Sequence, residues 1–349
     1  MTMKVVIVSS QAATFNYYNA LAISLERAAI EVEWWILKEH EAFFFSTINK
    51  ACKIIDHFPS NIEELLKTWG KPDLFLLGMS VEVPGKVSIE NSLLSQRKIW
   101  NVPIIAGQAC LPELDSWTNY RTQSVFSEDI VYPDQTMVID KASFTAYKDL
   151  GIPEHTLRIV GQPYFDEFQK NYSISKHISN GKLLFPTQPI RRYFGNSLNY
   201  DEFSVLKDLL LVLETPPPWF RCLSIKAHPE SDISEFEFFL RRSSVPYEIA
   251  EGPHWFASNL VVGMRSTILI LSRLLDTPTL SYQPKVPKSE DCFSNLKWVA
   301  TIKSIEELDY AIHNHTDIKA IDQPYKSVGS SIHRMWQVLN PYINQQAIG

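Results

Sequence analysis

The chain has no run of basic residues. Lysine and arginine total 33 against 39 aspartate and glutamate, the formal net charge is −6 and the pI is about 5.9. Binding a nucleic-acid backbone requires a concentrated positive surface, so duplex DNA and RNA are excluded as expected partners. Cysteine is scarce. Cys52, Cys110, Cys222 and Cys292 stand far apart, without the close pairs of a zinc site or a disulfide framework, and a reducing cytoplasmic location is expected. Nowhere do about 18 uninterrupted apolar residues occur, and the opening "MTMKVVIVSS" carries an apolar run of strand length only. A membrane span and an export signal are therefore not expected. The nine histidines include a close pair, His313 and His315, but no metal-ligand spacing, so no bound metal is expected. The glycine-rich dinucleotide fingerprint is missing after the first apolar run, where "SSQAATFNYY" offers Ser9, Ser10, Gln11 and Asn16 instead. NAD is excluded on that ground, and no cofactor is expected. Internal repeats and low-complexity tracts are also lacking.

What is present is globular and large. The 349 residues are 45% hydrophobic and 21% charged, a length and composition that suit two domains. Strand and helix signals alternate, the pattern of parallel α/β sheets. "KVVIVSS", "VEWWIL", "PDLFLLGMS", "VPIIAGQA", "DIVYP", "QTMVID" and "TLRIVGQP" read as strands, with helices between them such as "YYNALAISLERAAI" and "KASFTAYKDLG". These define a first doubly wound domain over residues 1–165, and the polar, aperiodic stretch 166–181 reads as a linker. A second unit over 182–327 runs from "KLLFPTQP" through "FRCLSIKAHP" and "NLVVGM" to "PTLSYQP". Residues 328–349 hold a last amphipathic segment, "SSIHRMWQVLNPYI", long enough to return to the first domain. The aromatic section "EVEWWILKEHEAFFF" reads as core, with peripheral membrane or acceptor contact as the other use.

Two strand ends concentrate polar chemistry. In "CLSIKAHPESD" an apolar run delivers Lys226, His228, Pro229 and Glu230 to one short loop. In "VVGMRSTILIL" Gly263 closes a strand, Arg265 follows, and Ser266 and Thr267 stand at the start of a very apolar helix. In open parallel sheets ligands lie beyond the carboxyl ends of the strands, and the start of a helix favours anions through its exposed N–H groups and dipole. Together the two loops suit a phosphate beside an imidazole and an ammonium. Each also has a plain reading: His228 as a hydrogen-bonded structural histidine, Ser266 and Thr267 as an ordinary helix cap.

The pairing of Lys-x-His-Pro with a later Gly-x-x-Ser-Thr turn resembles the donor half of the GT-B glycosyltransferase superfamily. The motifs are most similar to the HP and S motifs of bacterial CMP-sugar transferases, the sialyl-, polysialyl- and Kdo-transferases, and of CDP-glycerol glycerophosphotransferases. "VGQPYFDEF", Val160 to Phe168, is similar to the segment with which such proteins end their first domain. The resemblance implies an α/β GT-B fold of two Rossmann-like parallel-sheet domains with an interdomain cleft. It implies a metal-independent enzyme, a CMP-, UDP- or CDP-linked sugar as donor, and His228, Ser266 and Thr267 as contacts to the nucleotide and its phosphate. The chain departs from the pattern in reading Arg-Ser-Thr for Ser-Ser and in lacking the paired-acid-glycine base motif of sialyltransferases.

An acceptor half must then supply a base at a strand end. The segment "AGQACLPELDSWTNYR" follows the strand "VPIIAG" and carries Asp115 and Glu113, the first and second candidates, beside Trp117, Asn119 and Tyr120. With Gln11, the last three form the expected acceptor-binding set; an ordinary capped loop is the competing reading. The expected function is transfer of a sugar to a glycan or small hydroxyl acceptor. The alternatives are an enzyme like UDP-N-acetylglucosamine 2-epimerase, which shares the fold, and a catalytically silent nucleotide-sugar-binding or interaction module. The epimerase family needs several acidic residues and a histidine in set positions, and the sequence does not place them all.

Overall fold

The computed structural model describes residues 2–9, 12–38, 41–48, 50, 52–55, 62–79, 89–97, 101–109, 132–149, 151–172, 180–228, 231–250, 257–286, 299–318 and 330–346. The chain divides into two compact units, the first comprising Met1–Glu167 and Tyr325–Gly349 and the second Phe168–Pro324.

The first unit is built on a seven-stranded parallel sheet. Its strands are β1 (Lys4–Ser9), β2 (Glu31–Leu37), β3 (Cys52–Ile55), β4 (Leu74–Gly78), β5 (Ile104–Gly107), β6 (Gln135–Val138) and β7 (Leu157–Ile159), in the spatial order β3-β2-β1-β4-β5-β6-β7. Helices α1 (Ala12–Arg27), α2 (Glu41–Thr47), α3 (Ile62–Trp69), α4 (Ile89–Ser95) and α5 (Lys141–Asp149) alternate with them, and α6 (Pro163–Tyr172) runs from the last residues of this unit into the first residues of the second. Strand β1 is apolar along nearly its whole length because helices cover both of its faces. The same two-sided burial explains Trp34 and Trp35, adjacent residues of β2 that point to opposite faces and are both fully buried. Trp34 meets Phe15 and Phe44 edge-on at 6.0 and 5.4 Å, and Trp35 meets Trp69 and Phe75 at 5.1 and 5.6 Å. Trp34, Trp35 and Phe44 of the aromatic section are thus core residues, and Phe45 is partly exposed.

The terminal helix α12 (Ser331–Gln346) completes this unit. Its first N–H, at Ser331, donates to Asp166 at 2.7 Å, Arg334 donates to the Val160 carbonyl at 3.0 Å, and the Trp336 indole donates to the Ser24 hydroxyl at 2.8 Å. Met335 and Leu339 enter the core beside α1.

The second unit carries a six-stranded parallel sheet of order β10-β9-β8-β11-β12-β13. Its strands are β8 (Lys182–Pro186), β9 (Cys222–Lys226), β10 (Tyr247–Ile249), β11 (Leu260–Gly263), β12 (Thr279–Tyr282) and β13 (Ala300–Ile302). The helices are α7 (Ile190–Phe194), α8 (Glu202–Val212), α9 (Ile233–Leu240), α10 (Thr267–Leu274) and α11 (Ile305–His313). Their starts are written in the sequence. The Asp201 carboxylate accepts the N–H groups of Phe203 and Ser204 while the Ser204 hydroxyl accepts that of Asp201, and Ser304 with Glu307 repeats this reciprocal cap at α11.

Several details differ from the sequence expectations. Residues 166–172 of the expected linker are helical: Pro163 opens α6 with its preset φ and Asp166 sits in the first turn, where a carboxylate favours the helix. The expected strand "DIVYP" is not seen at residues 132 and 133, which are irregular, and its other residues lie outside those described. The edge strands β3 and β13 were not anticipated, since runs of four and three residues carry little alternation. Among the described residues no helix is long and apolar enough to cross a membrane.

Candidate functional site

Strand order in the second sheet reverses at β8, which pairs with β9 on one side and β11 on the other. Loops leaving the strands on the two sides of such a reversal diverge and open a crevice at the carboxyl ends. The two motif loops sit there. Lys226 ends β9 in register with Pro186 of β8, and His228 follows two residues later. Gly263 ends β11, Arg265 follows, Ser266 is the N-cap of α10 and Thr267 its first residue.

The end of β8 contacts both loops. The Thr187 hydroxyl accepts the His228 N–H at 2.8 Å, and the Thr187 N–H donates to the Lys226 carbonyl at 2.9 Å. The neighbouring Gln188 accepts the Arg265 N–H through its side-chain oxygen at 2.7 Å. The Arg265 guanidinium lies over the Phe194 ring, 5.0 Å from its centre, so the residue is held at its backbone and at its guanidinium. The turn after β11 is supported from below by buried polar groups. Ser281 donates to the Met264 carbonyl, Gln283 donates to Ser281 at 2.7 Å, and Tyr200 donates to Gln283 at 3.4 Å. The Ser266 hydroxyl accepts the Ile268 N–H at 3.2 Å, so Ser266 caps α10. Its hydroxyl hydrogen is a second, separate capacity. These bonds bring the backbone of the loops that carry Lys226, His228 and Arg265, and with them the start of α10, to the end of one strand.

Other polar residues have structural partners. Arg191, the first of a pair following β8, is ion-paired with Asp201, which caps α8, and stacks over Phe203 at 4.8 Å. His315 stacks on Trp219 with ring centres 4.5 Å apart, and burial lowers its pKa; His313 pairs with Asp309 one turn earlier. Among the described residues no group of three or more His, Cys, Asp or Glu is placed to hold a metal ion.

Gln11, Glu113, Asp115, Trp117, Asn119, Tyr120, Pro229 and Glu230 lie outside the described residues. On the first unit, described polar residues at the ends of β5 and β6 bond to one another. Gln108 is buried, accepts the Ile139 N–H at 2.9 Å and donates to Ser143 at 3.2 Å, while Asp140 accepts the Ser143 N–H at 2.7 Å. These groups satisfy one another and shape the strand ends. Sequence reasoning missed Thr187 and Gln188, although "KLLFPTQP" reads as a strand with polar residues straight after it. Their bonds to both loops depend on β8 lying between β9 and β11, which is a fact of sheet order.

No protein-family model and no curated protein matches the chain. Solved structures do match. The chain is similar to a UDP-GlcNAc 2-epimerase from Neisseria meningitidis bound to UDP-GlcNAc, with 15% identity, a TM-score of 0.70, and coverage of 97% of this chain and 100% of that one. The 2-epimerase of Methanocaldococcus jannaschii matches at 14% identity and a TM-score of 0.64, over 97% and 100% of the two chains. Anabaena HepE in complex with UDP and glucose matches at 12% identity and a TM-score of 0.52, over 99% and 98%. The shared fold is that of two Rossmann-like α/β domains, the GT-B fold class. A specific CMP-sugar transferase family has no support among these matches.

Proposed function

We propose that this chain is an enzyme acting on a UDP-linked sugar, and that it inverts the sugar at C2 as a UDP-GlcNAc 2-epimerase does. The observation that carries the nucleotide-sugar reading is the convergence of the Lys226–His228 and Gly263–Thr267 loops on the end of β8. There the helix start and Arg265 suit the diphosphate, and His228 the adjoining part of the nucleotide. The likeness in fold to epimerases, one of them bound to UDP-GlcNAc, supports UDP over CMP or CDP and supports epimerisation over transfer. Inversion at C2 takes a proton from one face of the sugar and returns one to the other, which requires acid–base groups near that carbon. Asp115 and Glu113, in the segment following β5, are the candidates.

A second reading is glycosyl transfer, which the HP- and S-like loops and the likeness to HepE with UDP and glucose favour. One experiment separates the readings. The protein is incubated with UDP-GlcNAc in deuterated water with and without hydroxyl acceptors, and the products are followed by NMR. UDP-ManNAc carrying deuterium at C2 is the expected result. Release of UDP only with acceptor means transfer, and tight binding with an unchanged sugar means a silent module. Parallel titrations with UDP, CMP, CDP and GDP test the choice of nucleotide.

A further inference from the structure

We propose that Thr187 and Gln188 are positioning residues that set His228 and Arg265 as one unit for the nucleotide diphosphate, an inference that rests on the reading above. They are adjacent in sequence at the end of β8, yet they grip loops 41 and 77 residues away, one on each side of that strand. Thr187 is 2% exposed, so it is placed to act through its neighbours. Its N–H and hydroxyl bind Lys226 and His228, and its hydroxyl lies 3.4 Å from that of Ser231, so one residue spans the bend from β9 into α9. Gln188 holds the backbone N–H of Arg265, and the guanidinium of Arg265 is aligned by Phe194, which belongs to the same segment following β8.

Each of the two bonds fixes the backbone of a residue whose side chain carries the recognising charge. That fixes the direction in which imidazole and guanidinium leave the chain before the ligand arrives. A site ordered in advance loses less conformational freedom on binding, so the effect of these residues is on affinity. Valine at 187 keeps the shape of threonine but cannot accept the His228 N–H, whereas serine can.

The test is calorimetric titration of the full chain with UDP. Thr187→Val is expected to weaken binding by about tenfold and Thr187→Ser by less than about twofold. In a His228→Ala background the Thr187→Val loss should disappear, because a residue that acts through His228 has nothing left to position. Gln188→Met should likewise weaken binding alone and have no effect in an Arg265→Ala background. That arm decides the matter if Thr187→Val does not fold. A merely structural role gives losses that add to those of His228→Ala and Arg265→Ala, and that result overturns the proposal, as does parental affinity in both Thr187→Val and Gln188→Met. If His228→Ala and Arg265→Ala themselves bind UDP like the parent, the nucleotide reading fails and the positioning role with it. If they lose affinity while Thr187→Val and Gln188→Met do not, only the positioning role fails.

Discussion

Gly263 lies so close to Pro186 that a Cβ on it would come within 2.9 Å of the proline Cγ and 3.0 Å of a Leu269 methyl. The last residue of β11 is therefore a glycine for lack of space, and its close approach to β8 sets the distance between the two loops of the site. Gly263→Ala is expected to destabilise the second unit by about 1–3 kcal/mol, the usual cost of overpacking, and to weaken UDP binding. Pro186→Ala in the same chain should return much of both losses, since it removes the ring that the new methyl meets. Thermal melts and UDP titrations of the two single variants and the double variant check this.

Ser266 has a cap role that is visible and a ligand role that is proposed, and two substitutions separate them. Alanine at an N-cap costs about 0.5–2 kcal/mol of stability, whereas glycine costs only a few tenths. If the hydroxyl also binds phosphate, Ser266→Ala and Ser266→Gly should weaken UDP binding alike, by about 1–3 kcal/mol, although only the first lowers the melting temperature appreciably. Affinity that follows stability across the pair would leave Ser266 as a cap alone.

How much of this was legible in the sequence depends on the range of the interaction. Alternating strand and helix signals marked most elements, because fully buried parallel strands read as apolar runs whatever lies beside them. The two loops were legible because their chemistry is local, as "KAHP" and "GMRST". Sheet order is not local, so Thr187 and Gln188 looked like ordinary residues after a strand until β8 was placed between β9 and β11. Helix α11 was not anticipated, although Ser304 and Glu307 are spaced as a capping box, and β13 before it was too short to announce itself. The helical start of the expected linker was signalled by Pro163 and Asp166, against a polar composition that favoured a loop.

Glu33 gives the first unit a pH dependence. Burial alone would raise its pKa, but the indole N–H of Trp35 and the ammonium groups of Lys4 and Lys53, at 3.1 and 3.2 Å, override burial and hold it below the ordinary carboxylate value. A depressed pKa contributes stability that is present above the unfolded-state value of 4.5 and is lost as pH falls through the folded one. Glu33→Gln should therefore lower the denaturation midpoint at about pH 7, and the difference from the parent should shrink as pH falls below about 4. Urea titrations of both proteins across that range check the sign. A gap that widens in acid would show that the carboxylate is not what holds Lys4 and Lys53.

The terminal helix should matter to the first unit through packing more than through its polar anchors. Leu339 is fully buried against the α1 side of the core. Leu339→Ala is expected to cost about 2–5 kcal/mol, whereas removing the Trp336 to Ser24 hydrogen bond with Ser24→Ala should cost about 1 kcal/mol. Limited proteolysis and thermal melts rank the two.

Loss of the Asp115 carboxylate has a clear kinetic signature. A base acts on a proton that moves only in the transition state, so its loss should slow turnover by about 10²–10⁴-fold and leave UDP affinity nearly unchanged. Asn at this position removes the basic oxygen while keeping size and hydrogen bonding. Asp115→Asn should accordingly bind UDP-GlcNAc like the parent and incorporate deuterium at C2 far more slowly, with Glu113→Gln, the matching amide for the second candidate, measured in parallel. The two substitutions also distinguish the chemistries. In an epimerase, loss of the base suppresses exchange at C2 without any acceptor present, whereas in a transferase exchange is absent throughout and the loss falls on the acceptor-dependent release of UDP. Parental rates in both variants would remove this segment from the mechanism and direct the search to the acidic residues elsewhere on the first unit.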